Sequence, residues 1–549
     1  MYQYKKDLVV VKKYVLSAAI SAALAFPAFN LIAAEVPAGV EFAKNQYLVR
    51  ANGAEPDTVD PGFVGSGSPG DVIVNDLFEG LVIENLKGET IPGQAESWST
   101  SEDGKTVTFV LRDGLKWSDG SPLTAQDFVY AWQRAVDSKT GNSTGFNFQT
   151  ANVVNADEII AGDKPSSELG VKAKDERTLV VSLTRPTPYF ISMMSIKTFF
   201  PVPQSIVEKH GDSWTRAENF VSNGAYTLKQ WVPNEKVDVV RNGQYRANDK
   251  TVIEGVTYLA LSSQNAELTR YQAGEIHMTN RVQLEYYQKL IKESPEQIQA
   301  LRLLGSYVYA FNTRVAPFDN ADVRRALSMV IDREILVDKI TGQGEPAAYS
   351  VVPDIIAGYE GAVPSFKATD GKQRLEQAKA LLAEAGYGPD KPLSIKLTYN
   401  TSENHKKIAL AIASMWKPLG VNVQLDNMEW NAYLSAKTAG DFTVARSYAF
   451  GDFAEPSSVL GSFQCGHVSN ETGFCDSKFD DLLAKAASAS DQSERYDLYH
   501  QAEEILNEAA PVIPLYHYNH TRLVKADLKG FPINNPKGNI YAKDMYFVK

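Results

Sequence analysis

Four side chains within one stretch of the sequence have the chemistry to hold a charged small molecule: Asn400, His405, Arg446 and Asp452. Two neutral or switchable polar groups, one fixed cation and one anion suit a zwitterion better than a phosphate. His405 falls at a helix start, where a cap or surface group is the competing reading. Other patterns that invite chemistry lack the context for it. Gly65, Gly67 and Gly70 match G-x-G-x-x-G, but Pro69 sits inside and no strand–turn–helix frame surrounds them, so the match reads as chance. Gly141-Asn142-Ser143-Thr144-Gly145 matches G-x-S-x-G yet follows a helix, which builds no nucleophile elbow. The seven His include no H-E-x-x-H, and His517 and His520 lie three apart in a strand-like segment, so they point to different faces.

The elements that position the four candidates are legible. Leu393, Ile395, Leu397 and Tyr399 alternate with polar residues as a strand ending at Asn400, and Ile408, Ile412, Met415 and Leu419 make one helical face stopped by Gly420. Val421, Val423 and Leu425 form a second strand, completing a βαβ unit with parallel strands. A third strand, 442–446, enters the segment ending at Asp452. Ligands of open α/β sheets sit beyond the carboxyl ends of strands, which is where these side chains fall. Elsewhere Val107, Phe109 and Leu111 alternate as a half-buried strand, Thr124 and Asp127 pair as a capping box before a helix, and Phe479–Ala486 and Tyr496–Ala509 carry apolar core stripes.

With 549 residues and 44% hydrophobic content, the chain can bury several cores. Its 55 Lys+Arg against 66 Asp+Glu give a formal charge of −11, the wrong sign for a nucleic-acid partner. Lys5, Lys6, Lys12 and Lys13 precede an apolar run through Ala25 and small residues at 33–34, the pattern of a signal peptide spanning residues 1–33. Pro27 and Asn30 interrupt that run, which argues against a retained anchor. Removing residues 1–33, with four Lys and one Asp, leaves −14. Export makes Cys465 and Cys475 read as a disulfide closing an 11-residue loop, worth about 2.8 kcal/mol. The alternative, a metal site with His467, is a ligand short of a closed zinc centre.

Several segments, NDLFEGLVIEN (75–85), IPGQAESW (91–98), DGKTVTFVLRDGLKWSDGSPLTAQDFVYAWQR (103–134), SNGAYTL (222–228), GEIHMTN (274–280), VRRALSMVIDRE (323–334) and KLTYNTSENHKKIA (396–409), resemble the periplasmic oligopeptide-binding proteins of ABC importers. The resemblance runs from about Val36 to Lys549 and extends to the murein-tripeptide-binding relatives. It implies an α/β, two-lobed periplasmic binding-protein fold, with the first lobe built from 34–78, 203–304 and 520–549. An extra domain then spans 79–202 and the second lobe 305–519, with hinge crossings near 304 and 520.

The resemblance further implies a peptide enclosed between the lobes as an added strand, delivery to the transmembrane subunits of an ABC permease, a monomer in the periplasm, no cofactor and no catalysis. It assigns the peptide's α-ammonium to Asp452 and strand-like backbone contacts to Ala449 and Phe450. Asn400, His405 and Arg446 fall to the later residues and the carboxylate, with Lys437 in place of an arginine. Tyr307, Tyr309, Trp430 and Asn280 match further contact positions. Departures are Thr341, where a carboxylate-binding lysine can occur, the GFVGSGSPGD loop (62–71), which lacks the family's acid, and the absence of the family's inter-strand cysteine pair. The rival class is a secreted peptidase using His405 with Asp452; no serine or cysteine stands in an activated context to serve it.

Overall fold

The computed structural model describes residues 36–549 apart from Ser143, Val468, Ser490, Ile533 and Asn534. The expected signal peptide and its cleavage site lie outside the described residues. No helix among the described residues is long and apolar enough to cross a membrane.

The amino-terminal half builds two antiparallel or mixed sheets on one core. The first has the order Tyr47–Gly53, Gly255–Ala260, Lys236–Arg241, Tyr226–Val232, with its first two strands parallel. Helix α1, Pro69–Leu77, leads out of the glycine-rich loop; Ser68 Oγ accepts from Asp71 N–H (3.3 Å) and Pro69 opens the first turn. The second sheet, Ala95–Thr100, Thr106–Leu111, Thr178–Ser182 and Val171–Ala173, is antiparallel throughout. Val107, Phe109 and Leu111 are its buried face, as the alternation requires. The helix over Ala125–Val136 covers it, with the Thr124 N–H donating to Asp127 Oδ2 at 2.8 Å. A single apolar cluster joins Leu48 and Val256 of one sheet to Phe109 of the other and Trp132 of its covering helix, and the chain's end returns to it through Ile540, Met545 and Phe547.

The carboxy-terminal half is organised on a five-stranded sheet whose strands are β1 (Ile298–Phe311), β2 (Ser394–Asn400), β3 (Asn422–Met428), β4 (Val444–Phe450) and β5 (Val512–Leu523), in the order β3-β2-β4-β1-β5. β2 and β3 are parallel in continuous register from Ser394↔Asn422 to Asn400↔Met428. The intervening helix α2, Glu403–Trp416, buries Ile408 and Ile412 as the periodicity requires. Trp416, absent from the expected stripe, takes the next turn and donates its indole N–H to Leu327 O (2.9 Å), while Met415 is half-buried. Gly420, at φ +74°, ends the unit. The third strand starts two residues later than expected and runs four further, to Phe450, because the long β1 offers it a partner as far as Gly305.

β1 and β5 belong to both halves. Ile298–Arg302 pair with Asn519–Leu523, where Leu523 packs on Tyr271 and Ile276; after a register irregularity between Arg302 and Ser306, the same strands continue as Ser306–Ala310 against Val512–His517. The molecule is thus a two-lobed α/β protein, and a cleft of about 1740 Å³ opens between the lobes.

Candidate functional site

One strand edge in the cleft is only partly paired among the described residues. β4 pairs with β1 along its whole length, but with β2 only at Val444 and Ala445. Gly451 N–H donates to Leu304 O of β1 (2.8 Å), whereas Arg446 O receives the Tyr433 hydroxyl from the opposite side. Alternation along an antiparallel strand then turns the amides and carbonyls of Ser447 and Ala449 toward β1, and those of Arg446, Tyr448 and Phe450 toward the open side. Arg446 O is satisfied by Tyr433, which leaves Tyr448 and Phe450 with free main-chain groups. The main chain of the expected contact residue Ala449 thus turns to β1, and Tyr448 lines the cleft beside it. Such an edge is a template for another extended chain.

The edge lies between two opposite charges. At its carboxyl end stands Asp452, whose N–H is held by Ser458 Oγ (2.6 Å). Two lysines approach, but Lys197 pairs with Asp71 (3.0 Å) and Lys537 with Glu84 (2.9 Å) and Ser195 Oγ (2.8 Å). Among the described residues the Asp452 carboxylate has no ion-pair partner. Burial pushes its pKa up, Lys537 and Lys197 oppose the shift, and Asp71 adds to it. At the other end Arg446 is buried among tyrosines: Nη2 donates to Tyr518 Oη (2.8 Å), and the guanidinium lies 5.0 Å from the Tyr307 ring centre and 5.5 Å from that of Tyr448. Its Nε has no partner, and among the described residues no carboxylate pairs with it. Desolvating a cation without an anion is costly, and here hydroxyls and ring faces stand in for the carboxylate.

The other expected residues divide. Asp452, Ala449, Phe450, Lys437 and Asn280 line the cleft; Arg446, His405, Asn400, Tyr307, Tyr309 and Trp430 do not. Ser402 caps α2, its Oγ accepting the His405 N–H, and His405 Nδ1 lies 3.2 Å from the Tyr307 hydroxyl. Burial, reinforced by Arg446, holds its pKa down at about 3, so it offers a neutral imidazole and no charge. Tyr307 stacks on Tyr516 (4.8 Å), and Tyr309 lies in the same buried cluster. Trp430, 41% exposed, stacks on Tyr433, and Asn400 keeps a buried, unpartnered Oδ1. Lys437 is paired within the protein. Although it faces the cleft, its Nζ is spent on Glu471 (2.7 Å) and Ser447 Oγ (3.0 Å), so it is not a free cation. Glu471 belongs to the loop closed by the Cys465–Cys475 disulfide, which is formed. Thr341 is buried on Glu345 (3.0 Å), away from the cleft.

Several cleft residues were not anticipated. Tyr448, 46% exposed, follows from counting back by twos from Asp452 through the expected Phe450, 43% exposed. The discounted loop at Gly65–Gly70 brings Ser66, Gly67 and Ser68 to the cleft, and Gly67 N–H donates to Asp71 Oδ2 (3.0 Å). Lys197, Arg281, Arg522 and Lys537 come from distant segments and carry no local spacing signal.

The model of bacterial extracellular solute-binding proteins, family 5 middle, matches residues 89–470. The periplasmic oligopeptide-binding protein OppA of Salmonella typhimurium is 44% identical over 542 residues, covering 98% of this chain and 99% of its own. The periplasmic murein peptide-binding protein MppA of Escherichia coli is 45% identical over 518 residues, 94% of this chain and 96% of its own. A solved murein tripeptide-binding protein MppA in its unliganded open form superposes with a TM-score of 0.82 at 44% identity, over 93% of this chain and 99% of that one. The two-lobed α/β fold agrees with this likeness, and the chain belongs to the family 5 bacterial extracellular solute-binding proteins.

Proposed function

We propose that this protein is a periplasmic receptor that captures short peptides between its lobes and hands them to an inner-membrane ABC permease. The observation that carries the reading is the free edge of β4 between Asp452 and Arg446. A peptide laid antiparallel to β4 meets the amides and carbonyls of Tyr448 and Phe450, which read no sequence; its α-ammonium reaches Asp452 and its carboxylate is directed past Tyr448 toward Arg446. Six residues of strand span about 20 Å, and the two terminal side chains reach back over part of it, so the gap suits an extended peptide of about three to five residues. The polar set described above holds charge without an activated nucleophile, which favours binding over hydrolysis.

In this reading the lobes comprise 34–78, 203–304 and 520–549 on one side and 305–519 on the other, with 79–202 as an added domain sharing the first lobe's core. Closure pivots where β1 and β5 pass from lobe to lobe. The exported form begins near Ala34 and acts as a monomer. Native mass spectrometry of freshly purified protein, followed by calorimetric titration with a mixed tripeptide pool, tests the proposal. The expected result is a bound population of short peptides that are released intact and rebind; recovery of only non-peptide ligands, or of cleaved peptides, would overturn it.

A further inference from the structure

The cleft carries a charge opposite to that of the protein. Seven Lys or Arg and four Asp or Glu line it, an excess of three positive charges in a chain whose formal charge is −11. The lysines near Asp452, and Lys437, are matched by carboxylates at 2.7–3.0 Å. Of the four arginines left, Arg185 and Arg314 stand elsewhere, and Arg281 and Arg522 share the first-lobe wall. Arg281 is exposed there, and Arg522 lies beside it, buried, with Nε and Nη1 unpartnered. Arg50 stands behind with Nε and Nη2 unpartnered as well.

His520 ties this wall together without adding charge. Its Nε2 meets Asn280 O (2.7 Å), which turns Nδ1 toward Arg522 Nη2 (3.2 Å). Burial and the neighbouring arginines hold the imidazole neutral. Two carboxylates face the cluster without an ion pair to it, so three guanidiniums stand against two acids: Glu267 accepts the N–H groups of Asn280 (2.8 Å) and Arg281 (3.3 Å), and Asp76 is bonded by the Tyr258 hydroxyl and by Ala542 N–H (2.8 Å). Tyr518, which receives Arg446, lies on β5 with His520 and Arg522.

We propose that this wall is a second anion subsite, with Arg281 as its contact residue, and that the cleft selects peptides bearing an acidic side chain in addition to the terminal carboxylate. A plain zwitterion brings no net charge and leaves the surplus uncompensated. One further carboxylate meets an exposed guanidinium backed by two buried ones, in a cleft where charge pairs are weakly screened. The inference rests on the peptide-binding reading above.

Calorimetric titration with two isosteric pairs, Ala-Glu-Ala with Ala-Gln-Ala and Ala-Ala-Glu with Ala-Ala-Gln, tests it in the wild type and in Arg281→Met. In the wild type at least one Glu peptide should bind roughly tenfold or more tighter than its Gln partner. In Arg281→Met that preference should collapse while the Gln peptides bind as before and the melting temperature stays unchanged, since Arg281 is exposed. Equal affinities within both pairs, or a preference that survives Arg281→Met, would overturn the subsite while leaving peptide binding intact. Failure of all four peptides to bind would overturn the underlying reading with it.

Discussion

The two ends of the cleft solve the same electrostatic problem in different ways. Around Asp452 each lysine has a carboxylate of its own, Lys197 with Asp71 and Lys537 with Glu84, so that the one group left over is an anion. Around Arg446 no ion pair forms: Arg446 is held by a tyrosine hydroxyl and ring faces, Arg522 meets a neutral histidine, Arg281 is exposed, and the groups left over are cations. Charges paired within the protein stiffen a wall, and their removal is felt as lost stability. Charges left unpaired are desolvated at the protein's expense until a ligand arrives, and their removal is felt as lost affinity.

Asp452→Asn should produce the largest change, because enclosing an ammonium opposite a neutral amide forfeits about 2–5 kcal/mol, or roughly 30- to 5,000-fold in affinity for a free-amine tripeptide. N-acetylating the peptide should cost the wild type a similar factor and the mutant little more, and calorimetry on all four combinations shows whether the losses overlap or add. Additive losses would place the ammonium elsewhere. Arg446→Met should follow, with about 2–3 kcal/mol lost, or roughly 30- to 150-fold. Because Arg446 is buried and its variant is open to a folding defect, the C-amidated peptide with wild-type protein provides the second measurement. An amidated peptide that binds as tightly as the free acid would remove Arg446 from the site.

The pH profile discriminates more finely. Burial raises the Asp452 pKa, so lowering the pH protonates it earlier than an ordinary carboxylate and affinity for the free-amine peptide is lost as pH falls. Titrations from about pH 7 to about pH 4 should show that decline beginning above the usual carboxylate range. The weaker binding of the N-acetyl peptide should stay level over the same interval, and parallel profiles would count against Asp452. The smallest effect on binding belongs to the paired region. Replacing Cys465 and Cys475 by Ser loosens the loop that holds Glu471 on Lys437 and should cost about 2–3 kcal/mol of stability by denaturant titration. Tripeptide affinity should remain within about twofold; a loss as large as that of Asp452→Asn would erase the distinction between paired and unpaired charges.

Local pattern carried much of this molecule. The 2-residue alternation of Leu393–Tyr399 and Val421–Leu425, the 3.6-residue spacing of Ile408 and Ile412, and Gly420 were enough to define the βαβ unit and its parallel pairing, because each strand or helix buries a face dictated by its own side chains. The same reasoning placed Asp452 beyond a strand end, and the short Cys465–Cys475 spacing carried the disulfide. What neighbours in space decide was not legible. Nothing in the sequence states that β2 releases β4 after Ala445, that Glu471 neutralises Lys437, or that His405 is driven neutral by burial beside Arg446. Nor does it state that Arg50, Arg281 and Arg522, scattered over more than half the chain, meet on one wall. Periodicity reports how a segment faces its own core. Whether a charged side chain is paired, desolvated or free depends on the dielectric and the partners that the folded chain brings within a few ångströms, and those come from residues remote in sequence.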